Sequence, residues 1–257
     1  MYVTFQFSPV RTHNHPNNVL QPIHIMRTFI RTLSITFDTE IRHSEIPLFR
    51  GAVIKSLGEK ANLLYHNHTE EDKFRYAYPL IQYKRWHGKA AIVCIEEGVE
   101  LIGEVISKMP QTLILGKNEK KIHIEKVIPT RLLVQTWDSM FEYHIHNWLP
   151  LNSKNYQVYQ MSTSTTERAR LLEGILKGNL LSMLKGLGIF LDKEICLSIS
   201  NLSEPHIIYN KGIGLMSFNV DFFCNLSIPN HLGIGKNASI GYGMIHQKKQ
   251  RPQEETQ

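Results

Sequence analysis

Cysteine is scarce in this chain: Cys94, Cys196 and Cys224 are isolated among 257 residues, with no C-x-x-C spacing. That excludes a disulfide framework and a thiolate zinc cluster, and describes reduced, buried thiols in a cytosolic protein. No apolar run approaches the roughly 20 residues that a membrane-spanning helix requires. The first residues lack a compact apolar segment with a small-residue cleavage site, so export is not expected and a cytoplasmic location is. Neither a G-x-x-x-x-G-K-[ST] loop nor a G-x-G-x-x-G that opens a helix is present, which removes the two common nucleotide-binding signatures. What remains is 42% hydrophobic and 20% charged, the make-up of an ordinary globular protein. The length accommodates one large domain or two of about 100–130 residues. Lys and Arg number 29 against 23 Asp and Glu, and the net charge of +6 favours a polyanionic partner.

Residues 228–243, IPNHLGIGKNASIGYG, carry the strongest local signal. Gly233, Gly235, Gly241 and Gly243 form two G-x-G pairs around Lys236, Asn237 and Ser239, with His231 just ahead of them. Glycine permits positive φ and close backbone approach, so such a loop can aim several N–H groups at a phosphate chain. A glycine-rich hairpin without a ligand has the same composition, and the loop alone does not separate the two.

Periodicity organises the rest. Residues 27–37 alternate as a strand, 46–57 repeat at helical spacing up to Gly58, and 78–84 and 90–95 read as two strands joined through His87-Gly88. Residues 99–109 give a second helix ended by Pro110, and 112–115 with 121–127 give a final strand pair. That order, β-α-β-β-α-β, is the ferredoxin-like unit. A second pass follows Pro129, with a strand over 132–145, a short helix over 152–160 and a long helix over 166–185. Strands over 194–199 and 215–224 come next, then the glycine loop and a last strand over 241–246. The second unit has the loop where a second helix would stand. The expected class is α+β, two tandem ferredoxin-like (RRM-like) domains over 27–128 and 129–247, with a poorly ordered arm over 1–26 and a flexible tail over 248–257.

Two histidines, His66 and His68, flank Asn67 ahead of Phe74-Arg-Tyr-Ala-Tyr-Pro-Leu-Ile-Gln-Tyr-Lys84. A pair of histidines two apart can ligate a metal. The surroundings lack the ββα-metal context of an HNH nuclease. Taken with Trp148-Leu-Pro-Leu-Asn152, Ile175-Leu-Lys-Gly-Asn-Leu-Leu-Ser182, Lys185-Gly-Leu-Gly188 and the glycine loop, the chain resembles the CRISPR-associated repeat-processing endoribonucleases of the RAMP superfamily (Cas six, b-type). The resemblance spans about residues 28–245.

The resemblance implies an endoribonuclease that cuts CRISPR repeat transcripts into guide RNAs without metal or cofactor. It places active-site histidines at His66 and His68. Metal-free RNA cleavage needs a base for the adjacent 2′-OH and an acid for the leaving 5′-oxygen, and histidine serves either role. Which histidine is base and which is acid stays open. Tyr76 or Tyr78 is expected to position the phosphate, and Lys55 or Lys60 to offset charge on the phosphorane-like transition state. Arg75, Lys84 and Arg85 bracket a strand as phosphate contacts. Lys177 and Lys185 lie on the polar side of the long helix, where a merely solvated face is the other reading. Trp86 stacks a base or is simply half-buried. His144-Ile-His146 is a second H-x-H pair, ranked below the first because the family motif does not pass through it. The implied partner is CRISPR repeat RNA. Other effector subunits and a second copy of the chain stay open as partners, and no membrane is involved. Two rivals stand beside this reading: a repeat-RNA-binding subunit that does not cut, and a metal-dependent phosphoesterase built on the H-x-H pairs.

Overall fold

Residues 90–95, Ala-Ala-Ile-Val-Cys-Ile, are apolar at every position rather than at alternate ones, which a sheet with one wet face does not require. A computed structural model, describing residues 29–56, 78–210 and 212–248, accounts for the run. Strand β1 (Phe29–Glu40) leads through a short 3-10 turn (His43–Glu45) into helix α1 (Ile46–Ser56). Strands β2 (Ile81–Trp86) and β3 (Lys89–Ile95) form a hairpin, followed by helix α2 (Glu97–Lys108). A separate small hairpin, β4 (Thr112–Leu115) with β5 (Asn118–Lys121), precedes β6 (Ile124–Leu133). The main sheet has the order β2-β3-β1-β6 with every neighbour antiparallel.

One face of this sheet supplies Ile35, Phe37, Tyr83, Ile92 and Cys94 to a core closed by Phe49 and Val53 of α1 and Ile102 and Val105 of α2. The other face sends Ile30, Val93 and Ile95 into a second core, shared with Trp148, Leu176 and Leu180 of the C-terminal half. Strand β3 thus lies between two cores, and both of its faces are apolar. Each aliphatic side chain buried this way contributes about 1.5–3 kcal/mol.

The C-terminal half repeats the plan. Strand β7 (Thr136–Trp148) is followed by helices α3 (Ser153–Met161) and α4 (Thr165–Gly186), then by β8 (Leu197–Leu202), β9 (His206–Asn210), β10 (Ile213–Leu226) and β11 (Met244–Gln247). Its sheet has the order β11-β7-β10-β8, again antiparallel throughout. Read from the other edge, β8-β10-β7-β11 matches β2-β3-β1-β6 position for position, so the architecture is tandem ferredoxin-like. Between β10 and β11, where the first unit has α2, the second has a loop holding only a 3-10 turn (Ala238–Ile240).

Several boundaries differ from the sequence reading. The pair expected over 112–115 and 121–127 is two things: the β4-β5 hairpin, and then β6, which runs on through Pro129 to Leu133. Pro129 sits opposite Leu33 on an edge strand, where a missing N–H is tolerated. The next strand therefore begins at Thr136 rather than at residue 132. Strand β9 was not expected. It pairs with the first half of β10, from Ile213↔Asn210 to Ser217↔His206. The β2-β3 turn is as expected: His87 and Gly88 both have positive φ, 44° and 86°, as a two-residue hairpin turn requires. The arm over 1–26 lies outside the described residues, as do residues 249–257 of the tail.

Candidate functional site

The glycine-rich loop folds back onto β2. Along that strand Ile81 and Tyr83 face the N-terminal core, so Gln82 and Lys84 face the loop, and both are fully buried. The Gly233 N–H donates to Gln82 Oε1 at 2.8 Å, and Gln82 Nε2 in turn donates to the Pro79 carbonyl at 3.1 Å. The Tyr78 hydroxyl donates to the Gly233 carbonyl at 2.9 Å, and Lys84 Nζ donates to the Ala238 carbonyl at 3.0 Å. Burial alone pulls the Lys84 ammonium down to about 7. Burial also raises the Tyr78 phenol, with the Gln82 hydrogen bond opposing it.

The glycines answer to this packing. A Cβ on Gly233 would stand 2.6 Å from Lys84 Nζ, 2.7 Å from the Ala238 oxygen and 2.8 Å from the Tyr242 oxygen. Gly235, at φ +76°, leaves room for Asn179 Oδ1 and Trp148 Nε1, which a Cβ would meet at 2.7 and 3.0 Å. Gly241 and Gly243 are also left-handed and backed by protein atoms. Lys236 is exposed at the tip, and Asn237 (φ 60°) and Ser239 are half-buried beside it.

Two of the residues expected at the phosphate make contacts within the protein. Lys84 was expected to touch phosphate, but its ammonium lies beneath the loop because it shares a strand face with Gln82. Tyr78 was one of two choices for holding the phosphate, but its hydroxyl is committed to the Gly233 carbonyl. Arg85 is exposed at the edge of β2, where its Nε donates to the Ile41 carbonyl at 2.7 Å. Lys55 is exposed in the last turn of α1. Lys185 is exposed at the end of α4, whereas Lys177 is ion-paired with Glu194. Lys60, His66, His68, Arg75 and Tyr76 lie outside the described residues.

Gln82, Asn179 and Trp148 hold the loop and had no assigned role. The signal for Gln82 was its place in an apolar strand, two residues before Lys84. Gly186 has a comparable use: a Cβ there would collide with Tyr78, so the end of α4 packs directly against the start of the β2 segment.

Beside the loop, His231 (φ 71°) sets its ring edge-on to Trp86 at a centroid distance of 3.4 Å, and burial pulls its imidazole down to about 4. Both line a cleft of about 760 Å³ between the domains, with Ser34 and Thr130 on one wall and Phe141 and Asn230 on the other. The second H-x-H pair forms a chain across the C-terminal sheet. Asp221 bonds His144 Nδ1, His144 Nε2 meets His146 Nδ1 at 3.1 Å, and His146 Nε2 meets His246 Nε2 at 3.2 Å. One set of tautomers satisfies all three bonds with every ring neutral. Burial, and secondarily the neighbouring imidazoles, pull His146 down to about 4. Among the described residues, no group of three or more His, Cys, Asp or Glu side chains is arranged to hold a metal ion. No helix among them is long and apolar enough to cross a membrane.

Comparison with known proteins places this geometry in a lineage. The Cas6b N-terminal domain matches residues 28–131 and the Cas6b C-terminal domain matches residues 135–248. An uncharacterized protein of Methanocaldococcus jannaschii is 35% identical over 109 residues, which is 42% of this chain and 73% of that protein. A Cas6b crystal structure superposes with a TM-score of 0.78 at 26% identity, covering 86% of this chain and all of the other. A second, of a CRISPR RNA processing endoribonuclease Cas6b, gives 0.67 at 23% identity with the same coverage. With both Cas6b domains matched in order over most of its length, the chain belongs to the Cas6b family.

Proposed function

We propose that this protein is a metal-independent endoribonuclease that processes CRISPR repeat transcripts into guide RNAs. The observation that carries the reading is the docking of the glycine-rich loop onto the strand that follows the histidine segment. The loop's anchor, Tyr78, stands ten residues after His68 in the chain. In chain order, the segment expected to move protons thus stands directly ahead of the strand that holds the loop expected to grip RNA. Two relatives of known structure carry the name Cas6b, and one is called a CRISPR RNA processing endoribonuclease.

In this reading a histidine of the pair His66/His68 takes the proton of the 2′-OH, whose oxygen attacks the adjacent phosphorus. The bond to the 5′-oxygen breaks, and the other histidine gives that oxygen a proton. The products are a 2′,3′-cyclic phosphate and a 5′-OH. Since the Tyr78 hydroxyl already serves the loop, Tyr76 is the tyrosine assigned to the phosphate. Lys55 or Lys60 offsets the developing charge. Lys236, Arg85 and Lys185 supply exposed cations for the RNA backbone. In the cell the reading places the enzyme in the cytoplasm with its transcript.

A repeat RNA with a single 2′-deoxy nucleotide at the cut site tests this. It should bind almost normally, because phosphates dominate the contact, and should not be cut. Excess EDTA should leave the rate unchanged. Cutting of the deoxy substrate at the normal rate, or activity lost on chelation and restored by a divalent ion, would overturn the reading in favour of metal-activated water. Binding without cleavage of the all-ribose repeat would favour the non-cutting subunit.

A further inference from the structure

Lys84 is the one lysine that the structure buries completely among the described residues. An ammonium there is costly, because low-dielectric surroundings disfavour the charged form. Packing alone does not require it: an unbranched apolar side chain such as Met would fill the same channel between β2 and the loop. The loop is nevertheless built around this group. Gly233 has no side chain where the ammonium sits, the Ala238 carbonyl turns inward to accept from it, and Gln82, two residues away, holds the Gly233 N–H.

We propose that Lys84 is a positioning residue for RNA: its buried ammonium holds the glycine-rich loop in its phosphate-receiving shape and is stabilised in return by the phosphates that settle on the loop. The proposal rests on the reading that this loop contacts RNA. A positive charge beneath a loop whose outer side carries Lys236 acts on phosphate through protein rather than through water, so it is weakly screened. The coupling is reciprocal: phosphate above the loop favours the charged lysine, and the charged lysine favours phosphate.

The groups around Lys84 set the balance. Arg85 follows it in β2, and His43 beneath Gly241 and His231 beside Trp86 both feel its charge. Burial is what moves Lys84 to about 7, and no carboxylate among the described residues opposes that shift. The free protein therefore holds this proton incompletely near neutrality, and RNA binding should complete it.

The test compares the full-length protein with Lys84→Met, Lys84→Arg and Lys236→Ala, using a fluorescent RNA of the host's CRISPR repeat. The unmodified protein should lose affinity by roughly tenfold between about pH 6.5 and about pH 8.5, as partial linkage of one proton to binding requires. Calorimetry in two buffers of different ionisation enthalpy should show proton uptake on binding. Lys84→Met should bind weakly at both pH values, lose the pH slope and melt at or above the parent temperature. Lys84→Arg should restore part of the affinity without the slope. Lys236→Ala should reduce the salt dependence of binding by about one ion. If Lys236→Ala leaves binding and its salt dependence unchanged, the loop does not contact RNA and the reading beneath the proposal fails. If Lys236→Ala acts as expected, two results would overturn the proposal itself: Lys84→Met keeping parental affinity and slope, or losing affinity only in proportion to a lowered melting temperature. Should Lys84→Met not fold, absence of proton uptake in the unmodified protein would overturn it as well.

Discussion

The indole Nε1 of Trp148 donates to Asn179 Oδ1 at 3.0 Å, and that oxygen occupies the space a side chain on Gly235 would need. The last residue of β7 and the middle of α4 thus shape the glycine loop from below. Gly235→Ala introduces a Cβ 2.7 Å from the Asn179 oxygen at φ +76°, so the loop must shift or strain. Its expected cost is about 1–3 kcal/mol of folding stability. Chemical denaturation beside RNA titration checks it. Affinity should fall along with stability, because this glycine serves the protein's own packing.

For the acid-base pair, His66→Ala and His68→Ala should each slow single-turnover cleavage by roughly 10²–10⁴-fold, the usual contribution of a positioned acid or base. RNA affinity should stay near that of the parent. Rates within about threefold of the parent for both variants would remove these histidines from the mechanism.

Much of the fold was legible because its periods are clean. Leu48, Phe49, Ala52 and Val53 announce α1, and Phe29, Leu33, Ile35 and Phe37 announce β1. The two-residue turn at His87-Gly88 fixes the β2-β3 hairpin. Strand β9 was not legible: His-Ile-Ile-Tyr-Asn has no alternation, because the hairpin projects with Ile207 and Tyr209 both exposed. Pro129 read as a boundary because the rule against proline in strands relaxes only at a sheet edge, and edges are a property of the assembled sheet. In the site, the glycine loop stood out from sequence as a phosphate cradle or a ligand-free hairpin, but that Gly233, Gly235 and Gly241 make room for Lys84, Asn179 and Ile46 was not legible. Lysine is ordinarily exposed, so the inward course of Lys84 could be seen only once β2 and the loop faced each other.

The histidine chain predicts a pH dependence of stability. His146 and His231 are held at about 4 in the folded chain against an ordinary 6.5, chiefly by burial, and His43 and His246 are shifted in the same direction. Between those values the unfolded chain binds protons that the folded chain refuses, so stability falls as pH drops from about 6.5 toward about 4. Melting curves at intervals across that range should show the decline. His146→Gln should flatten it, since a neutral amide keeps a hydrogen-bonding partner without taking a proton. An unchanged slope in that variant would assign the decline to other groups.

The two tyrosines flanking Ala77 should separate by function. Tyr78→Phe keeps the Cβ and backbone packed against Gly186 and removes only the hydroxyl that donates to the Gly233 carbonyl. One hydrogen bond of this kind is worth about 1 kcal/mol, so stability should fall by that order while cleavage at saturating RNA stays close to the parent rate. Tyr76→Phe should do the opposite. If its hydroxyl meets the scissile phosphate, losing it should slow single-turnover cleavage by about a hundredfold or more, as removal of a transition-state donor does, with melting unchanged. The paired measurement is decisive because both substitutions delete the same atom. A slow Tyr78→Phe enzyme with normal stability would move the phosphate contact to Tyr78 and require the loop to release its hydroxyl when RNA binds.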